Sequence, residues 1–176
     1  MSTLHVENLK GLTSGGNANK IIVPSGQELH AAGHVVQIQN VIRTGAGNTT
    51  TSTSFVDTGL SLNITPKFAT SKILVIVHQV TAILGGASTT RIDFRCIEAN
   101  SSTEVYRMDY HGTDSVVTNT QRNNSGSGVF QCSNTNQLTF KTQVQKADSQ
   151  SNQSGSIYYD WYAESKLTMT ALEIAQ

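Results

Sequence analysis

The chain has 176 residues with twelve basic and twelve acidic side chains, so its formal net charge is zero. A neutral chain lacks the basic field that attracts nucleic acid or anionic lipid, which makes both poor partners. The sequence shows no apolar run of the ~20 residues that a membrane-spanning helix needs, and no apolar segment of an export signal at its start. We therefore expect a soluble protein that neither binds nucleic acid nor inserts into a membrane.

The composition favours strands and loops over helices. Ser, Thr, Asn and Gln account for 66 of the 176 residues, while charged residues make up only 14%. Helices use mainly Ala, Leu, Glu, Lys and Arg, whereas Thr is accepted in strands and Asn, Ser and Gly favour turns. The sequence thus predicts an all-β protein, with enough residues for one domain and an extension.

Residues 1–33 differ from the rest, and we call them the arm. Their short apolar pieces are separated by Gly and Pro and cannot enclose a core. Either the arm packs along the following domain, or copies from neighbouring subunits share their apolar edges around a symmetry axis; a partly disordered leader is the third possibility. The apolar residues expected at an interface between arms are Leu4, Val6, Leu9, Ile21, Ile22 and Val23.

Residues 34–176 form the predicted head domain, which opens with strands over residues 35–42 and 55–64. In the second of these, Leu60, Leu62 and Ile64 alternate with polar residues, as in a half-buried strand. The segment Ser71–Leu84 is the longest apolar run, and four of the five residues from Ile73 to Val77 are β-branched, which favours a strand over a helix. Because neither face of this strand alternates with polar residues, we expect it to be central and covered on both faces.

The second half of the head continues the strand pattern. In the strand predicted over 91–97, Ile92, Phe94 and Cys96 are expected to face the core, and Arg91, Asp93 and Arg95 to face water. Further strands are predicted near residues 104–108, 129–130, 136–145, 157–161 and 166–174. The polar residues 109–128 are predicted to form a long loop. Nine or ten strands at this spacing indicate a jelly-roll-like antiparallel β-sandwich.

The last strand is apolar on both sides, because Leu167 and Met169 alternate with Leu172 and Ile174 on the opposite face. A strand of this kind needs cover on two sides. It either lies inside a sheet or meets another subunit with one face.

Residues with metal or redox chemistry are few. Cys96 and Cys132 lie in separate strand-like segments without zinc or redox spacing, and we expect two buried free thiols rather than a disulfide. His30 and His34 are four residues apart, but Gly33 and the β-rich setting argue against a helix that would join them. His78 extends the central strand and is expected to be a hydrogen-bonded core or interface histidine. We predict no metal site and no cofactor.

Catalytic patterns are equally weak. The cluster Asp109–Asp114 contains Asp, Tyr and His, but the sequence has no nucleophile elbow that would complete a triad. Among Tyr158, Tyr159, Trp161 and Tyr162, alternation places two on each face, so one pair is expected in the core and the other on the surface. We predict a protein that is not an enzyme.

Several segments in order resemble small virion structural proteins and tail-fibre domains of bacteriophages, chiefly marine and cyanobacterial ones. The segments that carry the resemblance are Asn19–Gly26, Gly33–Gln37, Thr51–Leu60, Ile64–Pro66, Ser71–Val75 and Leu167–Ile174. The resemblance implies a virion component assembled in the host cytoplasm, a homotrimeric fibre or spike with a head similar to tumour-necrosis-factor-like jelly rolls. A Gly-punctuated apolar arm suits a stem shared by three copies. The chain is shorter than a long tail fibre, so a position on tail, baseplate or capsid stays open.

Two roles follow from this resemblance. In the first, distal loops attach to a host surface glycan or outer-membrane protein, and the candidate loops are Gly85–Thr90, Tyr110–Gly128 and Asp148–Ser156. The residues expected to face the receptor are Gly85, Gly86, Tyr110, His111, Asn123 and Asn124. In the second, the protein is an architectural capsid decoration or tail connector that docks on other virion proteins through its arm.

Overall fold

The computed structural model describes residues 13–16, 20, 23, 25, 31–45, 47–84, 91–110, 120–147, 156–160 and 165–176. The chain divides into two compact units, Met1–His30 and Ala31–Gln176. The described residues of the second unit form ten strands: β1 (Val35–Thr44), β2 (Thr49–Thr50), β3 (Val56–Ile64), β4 (Lys72–Leu84), β5 (Arg91–Glu98), β6 (Thr103–Tyr110), β7 (Thr120–Gln131), β8 (Leu138–Ala147), β9 (Ser156–Tyr158) and β10 (Lys166–Ile174).

The strands form two antiparallel sheets, and the all-β sandwich prediction is confirmed. In sheet A, β10 lies between β1 and β4, and β7 pairs with the other edge of β4. The short β9 pairs with the last residues of β4, and β2 pairs with β9. Sheet B has the order β3-β8-β5-β6. Among the eight long strands, every connection except β5–β6 passes from one sheet to the other. This alternation gives the topology of a jelly roll.

The core lies between the sheets and is built from alternating residues. In β3, Leu60, Leu62 and Ile64 are buried as predicted. The other buried core residues include Ile73, Val75, Val77, Phe94, Cys96, Phe140, Val144, Leu167, Met169 and Ala171. The rings of Phe130 and Phe140 pack edge to face at 5.7 Å, joining the two sheets.

Both cysteines are buried and free, which confirms that prediction. Burial raises the pKa of the Cys96 thiol to about 12, and burial together with the charge of Glu173 raises that of Cys132 to about 11. Asp93 was expected to face water, yet it is only 8% exposed. Its carboxylate accepts a hydrogen bond from Gln145 Nε2 at 2.9 Å, which offsets part of the cost of burial.

Strand β4 is central, as predicted, because it pairs with β10 on one edge and β7 on the other. The expectation that both of its faces are covered is wrong for the single chain. Ile73, Val75 and Val77 point inward and are fully buried, whereas Ile76 on the opposite face is 44% exposed. The outer half of the apolar run is therefore only partly covered by the same chain, because Leu74 is half-buried and Ile76 is exposed.

The predicted loop 109–128 is also wrong over its second half, because residues 120–131 form β7. The glycines of this strand are explained by the edge strand β6 of sheet B, which approaches it closely. A Cβ atom at Gly128 would lie 2.2 Å from the carbonyl oxygen of Val105, and one at Gly126 would lie 2.2 Å from the ring of Tyr106. The glycines that look like turn residues in the sequence are required for the contact that closes one side of the sandwich.

Gly128→Ala should lower the free energy of unfolding by about 2 kcal/mol, because the new methyl group meets backbone that cannot move aside cheaply. Urea denaturation followed by tryptophan fluorescence measures this change. Gly16→Ala is the matched control, since a Cβ atom there meets nothing within 4 Å. Equal unfolding midpoints for Gly128→Ala and the parent protein would contradict the close approach of β6 and β7.

Candidate functional site

Strand register places a row of apolar residues across the outer face of sheet A. Ile38 in β1 is paired with Leu172 in β10, Leu172 with Leu74 in β4, and Leu74 with Val129 in β7. Alternate residues of a strand share a face. Ile76 is two positions from Leu74 and Ile42 is four positions from Ile38, so both lie on the same side as this row. We call these six residues the apolar face: Ile38, Ile42, Leu74, Ile76, Val129 and Leu172.

Four of the six residues of the apolar face are exposed, and the other two, Leu74 and Leu172, are half-buried. Ile38 is 59% exposed, Ile42 63%, Ile76 44% and Val129 56%. These four are among the six exposed large apolar residues found in the described part of the chain, the other two being Val23 and Val35. Exposed apolar residues that gather on one flat surface are typical of an interaction site, whereas scattered ones are not.

The two outer faces of the sandwich differ in charge. Sheet B carries the ion pairs Lys141–Asp57 at 2.8 Å, Arg107–Glu104 at 2.9 Å and Arg95–Glu104 at 3.7 Å. On sheet A, the charged outward-facing residues described in β1, β10, β4 and residues 123–131 of β7 are Lys72 and Lys166, at opposite ends. Sheet B is therefore suited to water and sheet A to an uncharged partner surface.

His78 lies on the outer side of β4, beside the apolar face. Its Nδ1 atom is 2.8 Å from Ser125 Oγ, the residue opposite in β7. The expected hydrogen bond of His78 is thus present, and the ring is half-buried.

The two ends of the sandwich have different contents. We call the end that holds Gly33 and Ala175 the base; there Gly33 N donates to Ala175 O at 2.8 Å, and Ala175 N to His34 O at 2.9 Å. The top is the opposite end, where β4, β6 and β8 end and β5, β7 and β9 begin. The three predicted receptor loops leave from and return to strands at the top.

The predicted receptor residues are only partly brought together. Tyr110 is the last residue of β6 at the top, and Gly85, Gly86 and His111 lie outside the described residues. Asn123 and Asn124 lie within β7, so their assignment to a loop is wrong. Asn124 is 4% exposed and donates to Thr81 Oγ at 2.7 Å, which makes it a packing residue. Receptor contact by the other residues stays a prediction.

The predicted arm interface falls mostly outside the described residues, which exclude Leu4, Val6, Leu9, Ile21 and Ile22. Val23 is described and is 42% exposed. The role of the arm in association stays a prediction. Of the aromatic group, Tyr159 packs against the core, while Trp161 and Tyr162 lie outside the described part.

Asp160 organises the top of the sandwich and was not found from the sequence. Its carboxylate is fully buried and pairs with Arg43 Nη2 at 3.2 Å and Asn48 Nδ2 at 2.9 Å, and it accepts a hydrogen bond from Asn48 N. Its backbone oxygen accepts from Gly47 N at 2.9 Å. A buried charge needs such partners, and here they fix the turn that follows β1.

Two further buried carboxylates organise the base. Glu173 accepts hydrogen bonds from Gln37 Nε2 at 2.6 Å, Lys67 N at 2.8 Å and Phe68 N at 3.1 Å, and thus holds the β3–β4 connection. Burial acts to raise the pKa of Glu173, but these hydrogen bonds outweigh it and hold the pKa below 4.5.

Glu98 does the same for the β5–β6 turn. It accepts from Ser101 N and Ser101 Oγ, both at 2.7 Å, from Asn100 N at 3.1 Å and from Thr139 N at 3.2 Å. Burial acts to raise its pKa, and the hydrogen bonds from Ser101, Asn100 and Thr139 bring it below 4.5. The turns at the base are therefore held in place by ionised carboxylates.

A depressed carboxyl pKa in the folded state stabilises the fold above the unfolded-state pKa, and this stabilisation is lost as the pH falls through the folded-state value. The melting temperature should therefore fall on acidification below about pH 4.3. Glu173→Gln should destabilise the protein by about 2 kcal/mol at neutral pH and show a weaker acid dependence. Calorimetry across pH measures both effects.

Glu104→Gln is the control for this test, because Glu104 is an exposed residue whose surface ion pairs contribute little. It should keep the parental acid dependence. A parental pH profile in Glu173→Gln would rule out ionised Glu173 as the anchor of the base.

Within the described ranges there is no group of three or more His, Cys, Asp or Glu placed to hold a metal ion. In the same part of the chain no helix is long and apolar enough to cross a membrane.

No model of a known protein family matches the chain, and no curated protein sequence shows significant similarity to it. Among solved structures, it is similar to the VP2 subviral particle of infectious bursal disease virus, with 13% identity and a TM-score of 0.39 over 94% of this chain and 42% of that one. The structure of the Gt strain of the same virus has 16% identity and a TM-score of 0.40 over 93% of this chain and 47% of that one. Dimeric latent PorU from Porphyromonas gingivalis has 8% identity and a TM-score of 0.41 over 90% of this chain and 15% of that one.

The chain thus spans less than half the length of each of these structures. At such identities and TM-scores the likeness carries no conclusion about function.

Proposed function

We propose that the protein is a non-enzymatic structural subunit of a virion that assembles as a homotrimer through the apolar face. The observation that carries the proposal is the row Ile38–Leu172–Leu74–Val129, which crosses four strands; Ile38 and Val129 at its ends are exposed, and Leu172 and Leu74 between them are half-buried. Water in contact with this surface is unfavourable, at about 25 cal/mol per Å² of apolar area. Covering it with protein therefore stabilises the assembly.

The partner best suited to this face is another copy of the same chain. Two like surfaces repel each other when they carry charge, and the middle of this face carries none, whereas the outer face of sheet B is lined with ion pairs. Four strands of about nine residues cover roughly 600 Å², close to the ~800 Å² per partner of a standard interface. In a ring, each subunit also contacts two neighbours.

The number three is supported by the resemblance to trimeric phage fibre and spike heads, and the face itself supports self-association. Twofold dimers are the commonest homo-oligomers, so a dimer is the competing outcome. The same resemblance supports a place in the virion. The arm then connects the head to other virion proteins, and the top of the sandwich contacts the surface of the host cell.

The alternative is an architectural role, as a capsid decoration or a tail connector that docks through its arm. The clustering of three connections at the top favours attachment, because binding surfaces are commonly built from loops carried by a rigid scaffold.

Ile38→Glu should abolish the trimer. The side chain is 59% exposed in the single chain, so a charge there costs the isolated subunit little but is buried on association. Sizing with light scattering should show three chains for the parent protein and one chain of 18.9 kDa for the variant.

Ser61→Glu is the matched control, since it adds the same charge to an exposed position on the outer face of sheet B. It should remain a trimer. Ile22→Asp places a charge in the arm, and the same sizing measurement then tests whether the arm contributes to association. A parent protein that is monomeric at micromolar concentration, or an Ile38→Glu variant that stays trimeric, would refute association through this face.

The parent protein, fluorescently labelled, should bind cells of its bacterial host saturably if it is an attachment protein. Excess unlabelled protein should compete, and cells of unrelated bacteria should bind little. Absence of saturable binding would favour the architectural role, which is then tested by locating the protein in images of the intact particle.

A further inference from the structure

A cleft of about 350 Å³ lies at the base of the sandwich, between the β5–β6 turn and the β7–β8 connection. Its volume falls at the lower end of the range of small-molecule sites, about 300–1,000 Å³. It lies at the opposite end from the predicted receptor loops and does not include the apolar face.

The wall of the cleft is rich in side-chain amides. Asn100, Asn134, Asn136 and Gln137 all line it and are exposed. Within the described part of the chain, the side chains of Asn136 and Gln137 make no hydrogen bond, and Asn100 uses only its Nδ2 atom, which donates to Gln137 O at 3.2 Å. An amide presents a donor and an acceptor side by side, which matches neighbouring hydroxyl groups that also donate and accept.

The rest of the lining is apolar and held in position. Phe130 and Leu138 line the cleft and are half-buried. The Phe130 ring is fixed by its edge-to-face contact with Phe140, which is fully buried. The ring packs against the core, and its remaining accessible part offers apolar surface to the C–H groups of a sugar ring.

The cleft offers no accessible charge. The one ionisable residue in its lining is Glu98, which is 1% exposed and whose two oxygens are occupied by Asn100, Ser101 and Thr139. Glu98 therefore shapes the turn and does not face a ligand. The cleft has no accessible charge that would bind phosphate, sulfate or a metal ion. A neutral polar ligand does not need a charged partner.

We propose that this cleft binds a neutral saccharide, with one pyranose ring against Phe130 and its hydroxyl groups on the amides of Asn136 and Gln137. The site is contained within one chain, so it does not depend on the proposed assembly. It assigns saccharide binding to the base of the sandwich.

The test is a titration of the full-length protein with glucose, galactose, rhamnose and N-acetylglucosamine, with galacturonic acid as a charged comparison. Backbone amide shifts in NMR spectra should change saturably at Asn100 and over residues 133–138 for at least one neutral sugar. No saturable change with any of the four neutral sugars, or binding of galacturonic acid alone, would overturn the proposal.

Gln137→Ala and Asn136→Ala should each weaken binding about fivefold, as expected for the loss of one neutral hydrogen bond. Their melting temperatures should match that of the parent, since both side chains are exposed. Asn123→Ala is the control: it removes an exposed amide of β7 that the sequence placed near a receptor.

Binding that is weakened by the cleft variants and kept by Asn123→Ala supports the cleft. Binding that is lost in Asn123→Ala and kept in both cleft variants moves the site elsewhere and refutes it. The Ile38→Glu variant separates this proposal from the assembly: a monomer that still binds sugar leaves the saccharide site standing when trimerisation fails.

Discussion

Sheet A has apolar residues on both of its faces, and water can be excluded from only one of them by folding. Ile73, Val75 and Val77 of β4 lie against sheet B and are fully buried, whereas Ile76 on the same strand remains 44% exposed. The neighbouring strands β1, β10 and β7 continue this outer surface through Ile38, Leu172 and Val129. Sheet B presents ion pairs on its own outer face, so the sandwich has one side suited to water and one suited to protein. Exposure of the apolar side to water costs free energy, and this cost is removed when another protein surface covers it.

The remaining parts of the fold keep the sandwich closed and its strands connected. Gly126 and Gly128 let β6 approach β7 closely enough to close one side of the sandwich. Three buried carboxylates fix the connections: Asp160 at the top, and Glu98 and Glu173 at the base. Each is surrounded by hydrogen-bond donors, many of them backbone amides of the turn it holds. Because breaking such a cluster leaves a charge uncompensated, turns held this way are ordered more firmly than their polar sequences suggest.

The residues on the inner faces of several strands could be predicted from the sequence, but the pairing register between strands could not. Alternation placed Leu60, Leu62 and Ile64 in the core and identified β4 as central, since both depend on neighbouring residues alone. β7 was missed because its Asn, Ser and Gly are typical of loops, and only the approach of β6 explains the glycines. The apolar face could not be seen either, because Ile38, Leu74 and Val129 are far apart in the chain and only strand pairing aligns them. Likewise, the donors that surround Glu173 come from Gln37, Lys67 and Phe68, more than a hundred residues away.

Cyclic symmetry connects the proposed trimer with the proposed saccharide cleft, although each proposal stands without the other. Rotation about a single axis makes the three subunits of the proposed trimer equivalent, so their three bases lie at the same height along that axis. Three saccharide clefts at one end would engage a polymer of repeated sugars at several points. A weak single contact then becomes a strong combined one, because the second and third contacts form at high effective concentration. If the proposed trimer forms, the apolar face contributes to recognition without touching the ligand, because the assembly sets the spacing of saccharide sites that belong to each chain separately.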